Sequence, residues 1–223
     1  MMQEVRAMFA NRTEAGHMLA QALAAYGMGG ARAGQHAVVL GIPRGGVVVA
    51  AEVARALSLP LDVVVATKVS MPANPEYAVG AVAPDGEVSA NASAGILADE
   101  VRRLAGSARA KSAHEIALFR AGLPPMDLEG HTAIVVDDGL ATGLTAIAAV
   151  QYLRRVGADE IVLAVPVAAS SAVSTLTPYV DKLVVLDTPP TFSAVGQFYS
   201  SFDQTEDAEV ATLLAQAAGR TIV

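Results

Sequence analysis

The sequence predicts an α/β protein with a doubly wound, mainly parallel five-stranded sheet and helices on both faces of that sheet. Three observations lead to this fold class. Apolar runs of strand length alternate with segments of helical periodicity along the 223 residues, an order typical of parallel sheets. Hydrophobic residues make up 53% of the chain, and much of that share is Ala and Val, as strands buried on both faces require. Two glycine-rich turns each follow directly after a predicted strand, which places both at one edge of the sheet.

The first third of the chain predicts two helices and two strands. Asn11, followed three residues later by Glu14, is typical of a capping box that opens a helix. Apolar residues then recur at helical spacing, and Gly27 can close the helix. The next elements are predicted over 36–41 (strand), 45–57 (helix) and 61–67 (strand).

Residues 68–95 differ in composition from the rest of the chain. They contain Pro72, Pro75 and Pro84 with scattered Gly and Asn, which favours a long loop with short extended pieces at 78–83 and 87–90. A loop of this length inside a compact domain is usually functional or mobile.

The remainder of the chain returns to alternating elements. The apolar patterns predict a long helix over 97–120, a strand over 132–137 and a helix over 143–156 that stops at Gly157. They then predict three shorter elements and a final helix: strand 160–166, helix 170–176, strand 182–186 and helix 206–218. We expect a single domain over residues 1–223.

Composition and charge exclude several classes of function. The net charge is −7, and no block of Lys or Arg stands out, so nucleic acid and anionic membranes are not expected partners. No apolar run approaches the length of a membrane span, and the charged amino terminus does not resemble a secretory signal. The chain has no cysteine, which excludes disulfides and thiolate chemistry. We therefore expect a cytoplasmic protein.

The turn after the strand at 132–137 is the most informative feature of the sequence. The strand ends in Asp137 and Asp138, and a Gly/Ala/Thr turn then leads into a helix. Asp138 could be a simple helix cap, but a cap needs only one short polar residue. Two carboxylates at the end of a buried strand raise the cost of each other's ionisation, which a cation or a hydroxyl-rich ligand would relieve. Because backbone N–H groups at a helix start suit a phosphate, the turn indicates a sugar phosphate site.

A second turn, Gly41-Ile-Pro-Arg-Gly-Gly46, follows the strand at 36–41. Gly45 and Gly46 allow the backbone to approach a ligand closely, and Arg44 carries a planar cation suited to phosphate oxygens. A tight structural turn with Arg44 in solvent is the alternative. The turn matches neither a Walker loop nor the Gly-x-Gly-x-x-Gly pattern of dinucleotide sites.

The stretch from Val135 to Thr145 resembles the phosphoribosyl-pyrophosphate motif of type I phosphoribosyltransferases: apolar residues, two acids, a short turn, then Thr-Gly-x-Thr. Further segments are similar to a bacterial subgroup of phosphoribosyltransferase-like proteins, and together they cover nearly the whole chain: Phe9-Ala-Asn-Arg12, Gly-Ile-Pro-Arg-Gly-Gly, Asn74-Pro-Glu76, and Phe-Ser-Ala-Val-Gly-Gln-Phe-Tyr at 192–199.

The resemblance implies a role for each part of the site. Asp137 and Asp138 would bind the ribose 2- and 3-hydroxyls. The 5-phosphate would be bound by the turn that follows, Gly139, Leu140, Ala141, Thr142, Gly143, Leu144 and Thr145. The pyrophosphate would be bound by the first turn and the start of the long loop, Pro43, Arg44, Gly45, Gly46 and Lys68. Asp138, Arg44 and Lys68 would take part in catalysis, and residues 68–84 would form a flexible covering loop.

The resemblance also implies a reaction: 5-phosphoribosyl 1-pyrophosphate and Mg²⁺ would be used to ribosylate a nitrogenous base or related acceptor, with release of pyrophosphate. Mg²⁺ would bind mostly through substrate, with Asp137 and Asp138 as the candidate protein ligands. A small hood from about 1–30 and 187–223 would hold the acceptor, whose identity the sequence leaves open. A homodimer is expected by family analogy. Two alternatives stay open, a non-catalytic sensor of the same ligand or of a nucleotide, and a hydrolase of a phosphoribosyl compound.

Overall fold

We describe the protein from a computed structural model, over residues 7–28, 36–91, 94–122 and 124–219, without the side chains of residues 75 and 76. The first half contains α1 (Arg12–Ala25), β1 (Ala37–Gly41), α2 (Gly45–Leu57), β2 (Leu61–Val63), β3 (Thr67–Met71), β4 (Asn74–Val82), β5 (Val88–Ala90), α3 (Ala98–Leu104) and α4 (Gly106–Arg120). The second half contains β6 (Thr132–Val136), α5 (Leu144–Arg155), β7 (Glu160–Val167), α6 (Ser170–Leu176), β8 (Lys182–Asp187) and α7 (Asp207–Ala217). Two short 3₁₀ helices lie at Thr177–Tyr179 and Val195–Phe198.

The main sheet has five parallel strands in the order β2-β1-β6-β7-β8. The chain winds outward from β1 to β2 on one side, and from β6 through β7 to β8 on the other. The direction of winding therefore changes between β1 and β6, which confirms the predicted doubly wound sheet. Ligands of such sheets bind beyond the carboxyl ends of the strands at this change.

Helices cover both faces of the sheet, because alternate side chains of each strand point to opposite faces. On one face Val39 and Ile134 pack with residues of α1, α2 and α7. On the other face Leu40 and Val135 pack with residues of α5 and α6. Every residue of β1 is buried, which explains why this strand has no polar alternation in the sequence.

The prediction of a long loop over 68–95 is wrong, although its two extended pieces at 78–83 and 87–90 nearly coincide with the end of β4 and with β5. Strands β3, β4 and β5 form a separate antiparallel sheet, and Val69, Val79 and Val82 pack against α3 and α4. The prolines that favoured a loop lie where the pairing tolerates them. In β4, Ala78 pairs with Ser70 and Asn74 pairs with Met71, so residues 75–77 form a bulge in which Pro75 needs no ladder hydrogen bond.

Two other predicted elements are divided in the structure. The strand predicted over 61–67 ends at Val63, and the buried segment that follows leads to β3 in the second sheet. The helix predicted over 97–120 breaks at Ala105 into α3 and α4. This break lets α3 lie against β5 while α4 reaches α7.

The amino-terminal helix begins where its capping pattern predicts. Asn11 is the N-cap of α1, and its side chain accepts a hydrogen bond from the N–H of Glu14 at 3.0 Å. The Glu14 carboxylate accepts from the N–H of Ala10. Across the four described segments of the chain, no helix is both long enough and apolar enough to span a membrane.

Candidate functional site

The two unusual turns lie side by side at the carboxyl ends of β1 and β6. These strands are neighbours in the sheet, and Gly41 at the end of β1 pairs with Val136 at the end of β6. The N–H of Ile42 then donates to the carbonyl of Val136 at 2.9 Å, which fixes the first turn against the second. Both turns therefore occupy the position where the direction of winding changes.

The glycines of the first turn make this contact sterically feasible. A Cβ at Gly46 would lie 2.8 Å from both the Cα of Asp137 and the carbonyl oxygen of Val136. A Cβ at Gly45 would collide with the carboxylate of Asp138 and lie 2.6 Å from the Nε of Arg12. Any side chain at either position would push the acids away from the first turn.

The second turn presents a row of backbone donors. Gly143 adopts a left-handed conformation, with φ of 75°, and caps α5. Leu140 anchors the turn, since its N–H donates to Val167 at 2.9 Å and its carbonyl accepts from Ala169 at 2.8 Å. The N–H groups of residues 141–146 donate to no described residue. Thr142 is exposed and Thr145 is half-buried, so two hydroxyls stand beside a cradle that suits a phosphate.

The ionised forms of Asp137 and Asp138 are disfavoured in the folded protein, as the sequence predicts. Burial raises the pKa of Asp137 well above its ordinary range, and the neighbouring charge of Asp138 raises it further. Burial also raises the pKa of Asp138, although the charge of Arg12 opposes that effect. Within the described residues the Asp137 carboxylate accepts one hydrogen bond, at 2.8 Å from the N–H of Asp138. A cation or a pair of hydroxyls would stabilise this arrangement.

Arg12 is a site residue that the sequence analysis did not identify. Its Nε donates to the Oδ2 of Asp138 at 2.8 Å, and the exposed fractions of the two side chains are only 13% and 15%. One signal could have revealed it. Arg12 is the first residue of α1, where the helix dipole disfavours a cation, so an arginine there calls for an acidic partner.

The carboxyl-terminal segment also contacts the acids. Residues 8–10 run beside residues 198–201, with a parallel bridge between Phe9 and Tyr199. The hydroxyl of Tyr199 donates to the backbone carbonyl of Asp138 at 2.6 Å. Burial raises the pKa of Tyr199 well above its ordinary value, so the hydroxyl stays protonated and remains a donor. That these terminal segments hold an acceptor stays a prediction.

Arg44 lies at the start of α2, where the sequence predicts the pyrophosphate site. The peptide bond between Pro43 and Arg44 is cis. The Arg44 side chain is 36% exposed, and its guanidinium forms an ion pair with Asp207 at 3.4 Å. The N–H groups of Arg44, Gly45 and Gly46 donate to no residue that the structure describes. The first turn thus offers three backbone donors beside a solvent-accessible cation.

Lys68 lies on β3, and its side chain is exposed. The Lys68 side chain forms no hydrogen bond or ion pair with any residue in the described part of the chain, and so none with either turn. Since residues 68–84 belong to a hairpin rather than a loop, a covering movement would involve the β3–β4 hairpin. A role for Lys68 in pyrophosphate binding remains a prediction.

The acids offer only a partial site for a metal ion. The described residues contain no group of three or more His, Asp or Glu side chains that could hold one. Asp137 and Asp138 provide two adjacent carboxylates. This donor set fits Mg²⁺ held by one or two carboxylates together with substrate phosphates and water, rather than an all-protein cage.

Comparisons with known proteins identify the family to which this chain is similar. A family model described as "Phosphoribosyl transferase domain" matches residues 14–200. The Mycobacterium tuberculosis protein named "Putative phosphoribosyl transferase Rv0571c" is 44% identical over 220 residues, which is 94% of this chain and 47% of that protein. The chain thus spans about half the length of the curated relatives it matches.

A solved structure and a shorter sequence match are also similar to this chain. The crystal structure of TT1426 from Thermus thermophilus matches with a TM-score of 0.78 and 40% identity, covering 93% of this chain and 98% of the other. A segment of 68 residues is 38% identical to the ribose-phosphate pyrophosphokinase of Pyrococcus furiosus, which is 30% of this chain and 24% of that enzyme.

Proposed function

The chain belongs to the phosphoribosyl transferase domain family, and its parallel sheet flanked by helices is the type I phosphoribosyltransferase fold. From this premise we propose that it transfers the 5-phosphoribosyl group of 5-phosphoribosyl 1-pyrophosphate to a nitrogenous base or related acceptor, and releases pyrophosphate. Its relatives include a protein named "Putative phosphoribosyl transferase" and an enzyme named ribose-phosphate pyrophosphokinase. These names support 5-phosphoribosyl 1-pyrophosphate as the donor in the proposed reaction.

The observation that carries the proposal is the contact between the two turns. Two adjacent carboxylates lie between two sets of backbone N–H groups that have no partner among the described residues. One set follows β1 and the other follows β6. A ligand with hydroxyls in its middle and phosphates at both ends would satisfy all three groups, and 5-phosphoribosyl 1-pyrophosphate has that chemistry.

In this proposal Asp137 and Asp138 accept hydrogen bonds from the ribose hydroxyls. The N–H groups of residues 141–146, with the hydroxyls of Thr142 and Thr145, bind the 5-phosphate. The N–H groups of the first turn bind the pyrophosphate, and Arg44 exchanges Asp207 for a phosphate oxygen. Their ion pair is half-exposed, so this exchange loses little stability.

The transfer needs positioning and charge neutralisation rather than a covalent intermediate. The bond between ribose C1 and the pyrophosphate oxygen breaks, and its electron pair leaves with the pyrophosphate. The acceptor nitrogen forms the new bond to C1 and gives up its proton to solvent. Carboxylates beside the ribose stabilise the positive charge that develops on the ring. Mg²⁺ bound with the substrate would neutralise charge on the leaving pyrophosphate.

The test incubates the protein with 5-phosphoribosyl 1-pyrophosphate, Mg²⁺ and a panel of purines, pyrimidines and other nitrogen heterocycles, and measures pyrophosphate release. Release that depends on one heterocycle supports the proposal. Release without any acceptor would instead identify a hydrolase. Tight binding without release would identify a sensor. The double variant Asp137→Asn/Asp138→Asn is the control, and we expect it to lose both binding and release.

A further inference from the structure

We propose that Arg12 is a positioning residue of this site, which orients the Asp138 carboxylate toward the ribose hydroxyls. The proposal rests on the proposed function for the identity of the ligand. It also extends the functional site to a residue that lies 126 positions from its partner in the sequence.

The ion pair leaves one carboxylate oxygen open. The Nε of Arg12 lies 2.8 Å from the Oδ2 of Asp138. The Oδ1 of Asp138 accepts no hydrogen bond from another residue in the described part of the chain. Arg12 thus fixes the rotation of the carboxylate through one oxygen, and the other remains free for a ligand hydroxyl.

Arg12 is itself held from two further directions. Its Nη1 donates to the carbonyl oxygen of Asp203 at 2.8 Å. Its guanidinium carbon lies 3.8 Å above the centre of the Phe202 ring, a distance at which cation and ring attract each other. Three contacts in different directions leave the guanidinium one orientation.

These contacts form a closed circuit around the acid. The rings of Phe202 and Tyr199 lie 4.9 Å apart, and the Tyr199 hydroxyl donates to the backbone carbonyl of Asp138. The circuit therefore runs from Arg12 to Asp138, to Tyr199, to Phe202 and back to Arg12. It constrains both the backbone and the side chain of Asp138.

The geometry requires arginine rather than any cation. One planar group donates through Nε to Asp138 and through Nη1 to Asp203, and presents its face to Phe202. A lysine ammonium has no such fork and no flat face. The ion pair also requires glycine at position 45, because a Cβ at Gly45 would lie 2.6 Å from the Nε of Arg12.

The test compares two probes that use different parts of the site. Ribose 5-phosphate presents hydroxyls to the acids, whereas inorganic phosphate requires only the cradle of residues 141–146. Calorimetry measures the affinity of each probe for the wild type, Arg12→Gln, Arg12→Lys and the control Arg102→Gln. Arg102 forms an exposed ion pair with Asp99 on α3, and none of its hydrogen bonds involves either turn. Urea unfolding of each variant accompanies the titrations.

We expect Arg12→Gln to lower the affinity for ribose 5-phosphate by about tenfold or more, as for loss of a charge-assisted hydrogen bond. Its affinity for inorganic phosphate should stay within about twofold of the wild type. Arg12→Lys should show the same selective loss to a smaller extent, and it provides the comparison if Arg12→Gln does not fold. Arg102→Gln should behave as the wild type.

If the role of Arg12 were purely structural, its substitution would lower the affinity for ribose 5-phosphate and for inorganic phosphate equally, and that result would overturn the proposal. Wild-type affinity for ribose 5-phosphate in both Arg12 variants would also overturn it, while leaving the proposed function intact. If the wild type itself binds no ribose 5-phosphate, both the proposed function and this inference are wrong.

Discussion

At the scale of the residue, Asp137 is buried beside a second negative charge, that of Asp138. This arrangement lowers the stability of the folded protein, although the proposed ligand binding needs the carboxylate. The folded protein must hold the carboxylate where water cannot fully solvate it. Burial and Asp138 both raise its pKa above the ordinary value of 3.8. The ionised form is therefore disfavoured in the folded state relative to the unfolded chain.

Linkage gives the sign of the resulting pH dependence. Because the folded pKa is the higher one, the folded protein takes up its proton first as the pH falls, and this carboxyl destabilises the fold most above its folded pKa. Asp137→Asn removes the charge and keeps an oxygen that can accept from the N–H of Asp138. We expect Asp137→Asn to be more stable than the wild type at pH 8, and the difference to shrink as the pH falls toward 4.

Urea unfolding at several pH values measures this difference, with the exposed Asp99→Asn as the control, for which we expect no such trend. A variant less stable than the wild type at pH 8 would contradict the argument. The same change should weaken binding of ribose 5-phosphate by about tenfold to a hundredfold, the effect of losing a hydrogen bond to a charged group.

At the same scale, the sequence predicts those site residues whose signal is local. Asp137, Asp138 and the glycines of both turns stand out because each occurs within a few positions of a buried strand. The partners of Arg12 lie 126 and 191 positions away. The position of Arg12 at the start of α1 can indicate that it needs an acidic partner, but no local pattern shows which one, because the contacts depend on how the start of α1 packs against residues 138 and 202–203.

At the scale of the element, the contact between the two turns depends on the lack of a side chain at Gly46. A Cβ there would lie 2.8 Å from backbone atoms of Val136 and Asp137, which cannot move without disturbing β6. We expect Gly46→Ala to lower the free energy of unfolding by about 1–3 kcal/mol, the usual cost of overpacking, and to weaken ligand binding.

Gly106 provides the matched control for Gly46. It also opens a helix, α4, but a Cβ there would meet no atom within 4 Å apart from its chain neighbours and the nearby backbone of its own helix. We expect Gly106→Ala to leave stability unchanged or to raise it by up to about 1 kcal/mol. Urea denaturation of the two variants measures the contrast. Equal free energies of unfolding for Gly46→Ala and Gly106→Ala would show that the two turns can move apart without lowering stability.

The second sheet shows where prediction by element fails. All five strands of the main sheet were predicted, although the structure ends the second of them early, because each is an apolar run beside a helix. Of the β3–β4–β5 sheet only short extended pieces were predicted, and β3 and the pairing were missed because proline and glycine usually mark turns. Here Pro75 lies in a bulge, and Gly80 allows β5 to approach, since its Cβ would lie 2.6 Å from the carbonyl oxygen of Ser89.

At the scale of the whole molecule, ligand binding should appear as added stability. A ligand that binds only the folded state, at a concentration 100 times its dissociation constant, adds about 2.7 kcal/mol. For a chain of this size we expect 5-phosphoribosyl 1-pyrophosphate with Mg²⁺ to raise the Tm by roughly 5–11 °C. Calorimetry or dye-monitored melting measures the shift.

The double variant Asp137→Asn/Asp138→Asn separates site binding from general effects of a polyanion and Mg²⁺. At the same ligand concentration we expect its Tm to change by less than about 2 °C. An equal shift in the wild type and the double variant would place the binding elsewhere on the molecule.

The pairing of residues 8–10 with residues 198–201 has a consequence for protein synthesis. A growing chain can complete β1, β6 and both of their turns long before Tyr199, Phe202 and Asp203 leave the ribosome. Until then Arg12 lacks two of its contacts, and the backbone of Asp138 lacks the Tyr199 hydroxyl. An unfinished chain would therefore contain both acids before the contacts that orient Asp138 exist, and we expect full affinity for the ribose phosphate only after residues 199–203 have been added.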